Sequence, residues 1–120
     1  MSEETLVNRV LSRNSTMPGR SVNSARTHHF VIDEPAHAGG PGEEITPAEA
    51  FLSGVSACGV LLVEGYAREE GVPLRAVEAA IEGVRLRSDT SRFAAIRLRF
   101  RLDGPDQAEA EALVRRYQEN

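Results

Sequence analysis

Lysine is missing altogether: all 14 basic residues are arginine, so every cation in the chain is permanently charged and fork-shaped. Tryptophan is absent as well, and aromatic residues make up 5% of the chain, which leaves few rings on which nucleic-acid bases can stack. There is one cysteine, Cys58, so an internal disulfide is excluded and the thiol is free, exchangeable or paired between chains. No run approaches the roughly 18 apolar residues that cross a bilayer. The opening MSEETLVNRV lacks the basic start and apolar middle of a signal peptide. A cytoplasmic protein with no membrane attachment is expected. A net charge of −4 argues against a phosphate-binding surface, and no nucleic-acid partner is expected. His28, His29, His37 and Asp33 fall in an expected strand and loop and not on one face of a helix, and no second cysteine stands beside them, so no metal or other cofactor is expected.

What is present fits one domain over residues 1–120: the chain is long enough to bury a core, and its 41% hydrophobic content is ordinary. Residues 46–71 read as one long helix. Thr46 and Glu49 stand in capping-box spacing, Pro47 falls at the first helical position, and Gly71 marks the stop. Phe51, Val55, Cys58, Leu62 and Tyr66 recur at steps of three and four, a stripe expected to face inward with Cys58 on it.

Ahead of this helix, residues 5–12 read as a first strand, 14–20 as a turn, and 26–33 as a second strand, the two forming a hairpin. Residues 36–45, with Gly or Pro at every position from 39 to 42, form a loop against the helix start. Beyond Gly71, Val77, Ala79 and Ile81 alternate with Glu78, Ala80 and Glu82 until the parity slips at Gly83, as at a β-bulge. Ile96, Leu98, Phe100 and Leu102 then alternate with Arg97, Arg99 and Arg101. After Gly104-Pro105 a last helix puts Ala110, Leu113, Val114 and Tyr117 on one side. The order β-β-α-β-β-α with a long central helix implies an α+β fold. Two short hairpins cover so apolar a helix poorly, and a homodimer is expected to complete the cover.

Read from composition alone, Cys58 fits a small core residue as well as a nucleophile. It lies about three turns into the helix, beyond the reach of the macrodipole, so a thiolate there needs an arginine brought from elsewhere. Arg20 and Arg26 are the candidates. Glu49 is explained by the capping box and is also able to hold an arginine. Arg85, Arg87, Arg97, Arg99 and Arg101 read as a solvated sheet face paired with Glu78 and Glu82.

Asp33-Glu34-Pro35, Gly39-Gly40, Thr46-Pro47-Ala48-Glu49, Ser56-Ala57-Cys58, Gly71-Val72 and Glu82-Gly83, in that order, resemble the OsmC/Ohr family, including the eleven-residue interval from Pro47 to Cys58. The resemblance implies an intertwined α+β homodimer and thiol-dependent reduction of organic or small hydroperoxides. It makes Cys58 the sulfur that attacks the O–O bond, with an arginine (matched by Arg26 or Arg20, Arg26 aligning slightly better) stabilising the thiolate. It also implies a glutamate after the proline that positions the arginine. Here Ala48 stands at that place and Glu49 comes one later. A second, resolving cysteine is implied at or just after position 120. A single-cysteine form served by an external thiol or dithiol and a sequence that stops short of the native end both fit its absence. The alternative is a non-catalytic dimeric binding protein that holds a small acyl or aromatic ligand in the same apolar pocket.

Overall fold

The computed structural model describes residues 3–119. The chain divides into two compact units, Met1–Ala50 and Phe51–Asn120.

In the first unit, β1 (Leu11–Asn14), β2 (Arg20–Ala25) and β3 (His28–Asp33) form an antiparallel sheet in the order β1-β2-β3. There are thus three strands before the long helix, where the sequence pattern shows two, and the first begins at Leu11 instead of position 5. β2 escapes the pattern because Arg20, Ser21, Asn23 and Ser24 give it a polar composition. The β2–β3 turn is equally hidden: Arg26 and Thr27 make it without glycine or proline, Arg26 taking φ 57°. Arg26 is therefore a turn residue and not the first residue of a strand. Residues 34–46 fold back along β3, with Asp33 N–H donating to Ile45 O at 3.0 Å and Glu34 N–H to Gly19 O at 2.8 Å. A short 3₁₀ turn occupies Ala36–Ala38.

The long helix α1 (Pro47–Glu70) begins in the first unit and runs through the second. Its capping box is formed reciprocally: Glu49 N–H donates to Thr46 Oγ1 at 3.2 Å, and Thr46 N–H to Glu49 Oε1 at 2.9 Å. At the other end Gly71 takes φ 67°, with Val72 N–H on Ala67 O and Gly71 N–H on Arg68 O, a Schellman closure. By length and composition α1 is able to cross a membrane, its best 18-residue window having a mean hydropathy of 1.5. Mostly buried core helices pass the same test, whereas 17% of this window is buried among the described residues.

That unit pairs β4 (Ala76–Val84) with β5 (Ala95–Asp103) antiparallel, followed by α2 (Gln107–Glu119). α2 carries a second reciprocal capping box between Asp106 and Glu109. Val63, Ala67 and Leu113 are the fully buried core, packed by Tyr66, Val72, Leu74, Val77, Phe100, Leu102 and Tyr117. The Phe100 and Tyr117 rings meet edge to face at 5.3 Å. Arg116 ties α2 to the end of α1, bonding Glu70 and Glu69 at 2.7 Å each while lying over the Tyr66 ring. β5 alternates over most of its length, Leu98, Phe100 and Leu102 half-buried and Arg97, Arg99 and Arg101 exposed, but Ile96, expected on the inward face, is 43% exposed. Its outer edge has no strand partner among the described residues.

The bulge expected at Gly83 is absent, since pairing runs unbroken from Ala76↔Asp103 to Val84↔Ala95. Glycine is needed there for space: a Cβ would lie 2.7 Å from Phe93 Cδ1 and 3.1 Å from Leu52 Cδ1. Gly83 thus keeps the strand parity, and the Phe93 ring fills the place of its side chain.

Candidate thiol and arginine sites

α1 is apolar on two faces, and only one is used inside the chain. Gly59, Val63 and Ala67, at steps of four, form the buried row. Gly59 is small because the Phe100 ring comes against the helix backbone there, its Cζ 3.0 Å from where a Cβ would stand. Cys58 is exposed, which corrects the inward placement read from the sequence. With both faces apolar, the stripe with the larger side chains looked like the core, but small residues suit the closely packed side. The exposed stripe runs Phe51, Gly54, Cys58 and Leu61, at steps of three and four, with Leu62 beside it and the half-buried Gly65 at its end. Phe51 is 56% and Leu61 64% exposed. Phe51 stacks on Phe93 at 5.8 Å, which fixes one end of the stripe. Additions at Gly54 and Gly65 would meet nothing within 4 Å.

The arginine candidates both lie in the first unit, at opposite ends of β2. Six residues of extended chain separate them by roughly 20 Å. Arg26, in the exposed turn, makes no hydrogen bond or ion pair among the described residues. Arg20 is held on three sides. Its Nε donates to Asp33 Oδ1 at 2.7 Å, and its Nη2 donates to Asp33 Oδ2 at 2.9 Å and to Glu43 Oε1 at 2.8 Å. The hairpin register sets this up by placing Arg20 directly opposite Asp33. Asp33 also accepts the Glu43 and Glu44 backbone N–H groups, at 3.1 Å each, so the returning loop closes over the pair. Its carboxylate is fully buried, whereas the Glu43 side chain is 68% exposed.

The Arg20 guanidinium, with help from the two loop N–H groups, holds the Asp33 carboxyl at about 2, below an ordinary 3.8, against the opposing effect of burial. Arg20 is raised in turn, by Asp33 first and Glu43 second. Because Asp33 is depressed in the folded state, its contribution to stability is complete above the unfolded value near pH 4 and fades as pH falls through about 2. Between those limits the melting temperature of Asp33→Asn is expected to fall less steeply with acid than that of the unsubstituted protein. Equal slopes in calorimetry would remove the ion pair from the account of acid stability.

Glu49 is held below the usual carboxylate range by the Thr46 N–H, and it is not among the acceptors of Arg20. The carboxylates that hold the arginine are Asp33 and Glu43. Sequence reasoning weighed Asp33 only as a metal ligand and did not single out Glu43; the hairpin register was the signal that would have paired Asp33 with Arg20. An open cavity of about 390 Å³ within the first unit is lined by Arg20, Arg13, Ser12, Ser21, Ile32 and Pro47, among others. A larger one of about 790 Å³, between β5 and α2, is lined by neither Cys58 nor Arg20. Among the described residues no group of three His, Cys, Asp or Glu side chains is placed to hold a metal.

Comparison with known proteins gives a consistent picture. The sequence model of one family, described as OsmC-like protein, matches residues 40–120. No curated protein matches the chain. Among solved structures, the OsmC-like protein of Mycoplasma pneumoniae superposes with a TM-score of 0.81 at 15% identity, covering 98% of this chain and 84% of that one. An organic hydroperoxide resistance protein OsmC of Legionella pneumophila gives 0.72 at 21% identity, over 98% and 85% of the two chains. The organic hydroperoxide resistance protein OhrB of Bacillus subtilis gives 0.64 at 22%, over 95% and 84%. At these identities the likeness is one of fold.

Proposed function

The chain belongs to the OsmC-like protein family, and from that premise we propose that it is a thiol-dependent peroxidase that reduces organic or small hydroperoxides through Cys58. The observation that carries this reading is the placing of the chain's one thiol: exposed, midway along α1, on an apolar stripe. The Cys58 thiolate attacks one oxygen of the hydroperoxide. The O–O bond breaks, the leaving oxygen takes up a proton and departs as alcohol, and sulfur becomes a sulfenic acid. One external thiol condenses with it, releasing water and leaving a mixed disulfide; a second thiol frees Cys58 and carries the disulfide away. The reducing thiols this needs are a property of the cytoplasm, where we place the protein.

Of the two arginines the resemblance leaves open, we assign the thiolate-stabilising role to Arg20. A guanidinium held in one orientation loses little freedom when an anion meets it, whereas an exposed turn arginine loses much. We further take the exposed stripe of α1 to be covered by a second copy of the chain, as large apolar side chains in a row are in homodimers.

The direct test is the intact mass after one equivalent of cumene hydroperoxide, followed by dimedone. One oxygen, convertible to one dimedone adduct that maps to Cys58, is expected. A chain that stays unmodified while retaining its fold would point instead to a binding protein that uses the apolar stripe for an acyl or aromatic ligand.

A further inference from the structure

The groove of about 790 Å³ between β5 and α2 lies wholly within the second unit, and the reaction above makes no use of it. Five successive residues of β5, 98–102, line it, together with one side of α2 that includes Ala110, Val114 and Arg115. Successive side chains of a strand point to opposite faces of the sheet, so a cavity that meets all five runs along the edge of the strand. That edge is the one without a strand partner among the described residues, and every second residue turns its N–H and C=O outward along it. The groove thus offers backbone donors and acceptors on one wall and the half-buried Leu98, Phe100 and Leu102 on the side of α2.

Its charge is one-sided. Arg99, Arg101 and Arg115 line the groove against one carboxylate, that of Glu111, which accepts from Gln107 at 3.2 Å. Strand pairing sets Arg101 opposite Glu78 and Arg99 opposite Ala80. Arg101 reaches Glu78 at 3.6 Å, whereas Arg99 and Arg115 make no ion pair among the described residues. This cationic stretch belongs to a chain whose net charge is −4.

We propose that the groove binds an acidic peptide segment of another protein, added to β5 as an extended strand of about five residues in which apolar and acidic side chains alternate. Side chains level with Leu98, Phe100 and Leu102 enter the groove beside Ala110 and Val114, and those level with Arg99 and Arg101 meet the guanidinium groups. Backbone hydrogen bonds supply the affinity, and the alternation supplies the selectivity.

The probe is a fluorescein-labelled peptide of alternating glutamate and valine, titrated with the full chain at low ionic strength and followed by anisotropy. Saturable binding is expected, weakened about two- to fivefold by Arg99→Ala, the worth of one exposed pair, and further by Arg99→Glu. Arg87→Glu makes the same change in net charge at an exposed residue outside the groove and should leave binding within a factor of about two. Circular dichroism checks that each variant keeps its fold. Successive residues of a strand turn their N–H groups to opposite edges. N-methylation of all the valines or of all the glutamates should therefore abolish binding in one case and spare it in the other.

Absence of binding by the alternating peptide overturns the proposal, as when a second copy of the chain already fills the groove. Equal binding by a peptide with the same residues in separate blocks, or by a single-stranded RNA, overturns it too, since the groove is then only a patch of charge. So does an unchanged affinity in Arg99→Glu, or the same result for both N-methylated peptides.

Discussion

Without added thiol, the 120-residue chain is expected to consume at most about one equivalent of hydroperoxide and then stop. The limit follows from the count of cysteines, which is one in 120 residues. A sulfenic acid at Cys58 has no resolving partner within these 120 residues, so in this chain it persists, condenses with an outside thiol, or is oxidised onward to the irreversible sulfinic acid. A disulfide between the Cys58 residues of two copies needs Cα atoms within roughly 7 Å, while packed helix axes usually stay 8–10 Å apart. Gly54 leaves open space one turn from Cys58, yet Leu61 and Phe51 stand exposed on the same stripe and would keep a second helix at a distance. Excess peroxide should therefore inactivate the protein, and a dithiol should restore turnover only when added before that excess. Peroxide remaining with time, measured beside the intact mass, checks the whole sequence. Cys58→Ser should consume none; consumption at the unsubstituted rate by this variant would end the catalytic assignment.

Leu113→Ala should cost about 2–5 kcal/mol, the range for emptying a fully buried leucine site. The side chain is 0% exposed and sits where α2 meets Val63 and Ala67 of α1. Its surroundings cannot collapse easily, because the Phe100–Tyr117 pair and the Arg116 tie to Glu69 and Glu70 fix α2 one turn beyond Leu113. Leu61→Ala removes the same side chain from a site 64% exposed within one chain. In an isolated chain its effect should stay within about half a kcal/mol. If a second copy covers the stripe, Leu61→Ala lowers stability, and unfolding of the unsubstituted protein shifts with protein concentration. Denaturant unfolding at two concentrations decides both points. A folded monomer with concentration-independent unfolding would remove the dimer, and a Leu113→Ala midpoint equal to the parent would remove the core as described.

Local signals were legible in the sequence and non-local ones were not. The ends of α1 are written in neighbouring residues, Thr46 to Glu49 at one end and Gly71 at the other, and the structure forms both. β5 shows itself by strict alternation. β2 does not, because its pairing on both edges supports a polar strand that composition alone leaves out. The face of α1 was read only in part, Tyr66 packing on the core as expected and Cys58 not, for a related reason: a helix apolar all round carries no mark of which side packs, and the answer lay in the Phe100 ring closing on Gly59. The Arg20–Asp33 pair is thirteen residues apart in sequence and becomes adjacent only through the hairpin register. Gly83 looked like slack in the strand and proved to be a seat for Phe93.

The bare outer edge of β5 bears on how the protein behaves in concentrated solution. An edge nine residues long with no strand partner among the described residues is a template on which another chain can add as a strand, the usual first step of sheet-type aggregation. Arg97, Arg99 and Arg101 stand along this strand, so a second β5 approaching it brings like charges together. Glu78 meets only one of the three within bonding range, Arg101 at 3.6 Å. A guard of this kind is purely electrostatic, and its reach shrinks with the Debye length, from about 8 Å at physiological ionic strength to about 3 Å at 1 M. Aggregation is therefore expected to rise with salt under conditions that leave every hydrogen bond of the fold intact, and light scattering at about 0.1 M and 1 M salt checks it.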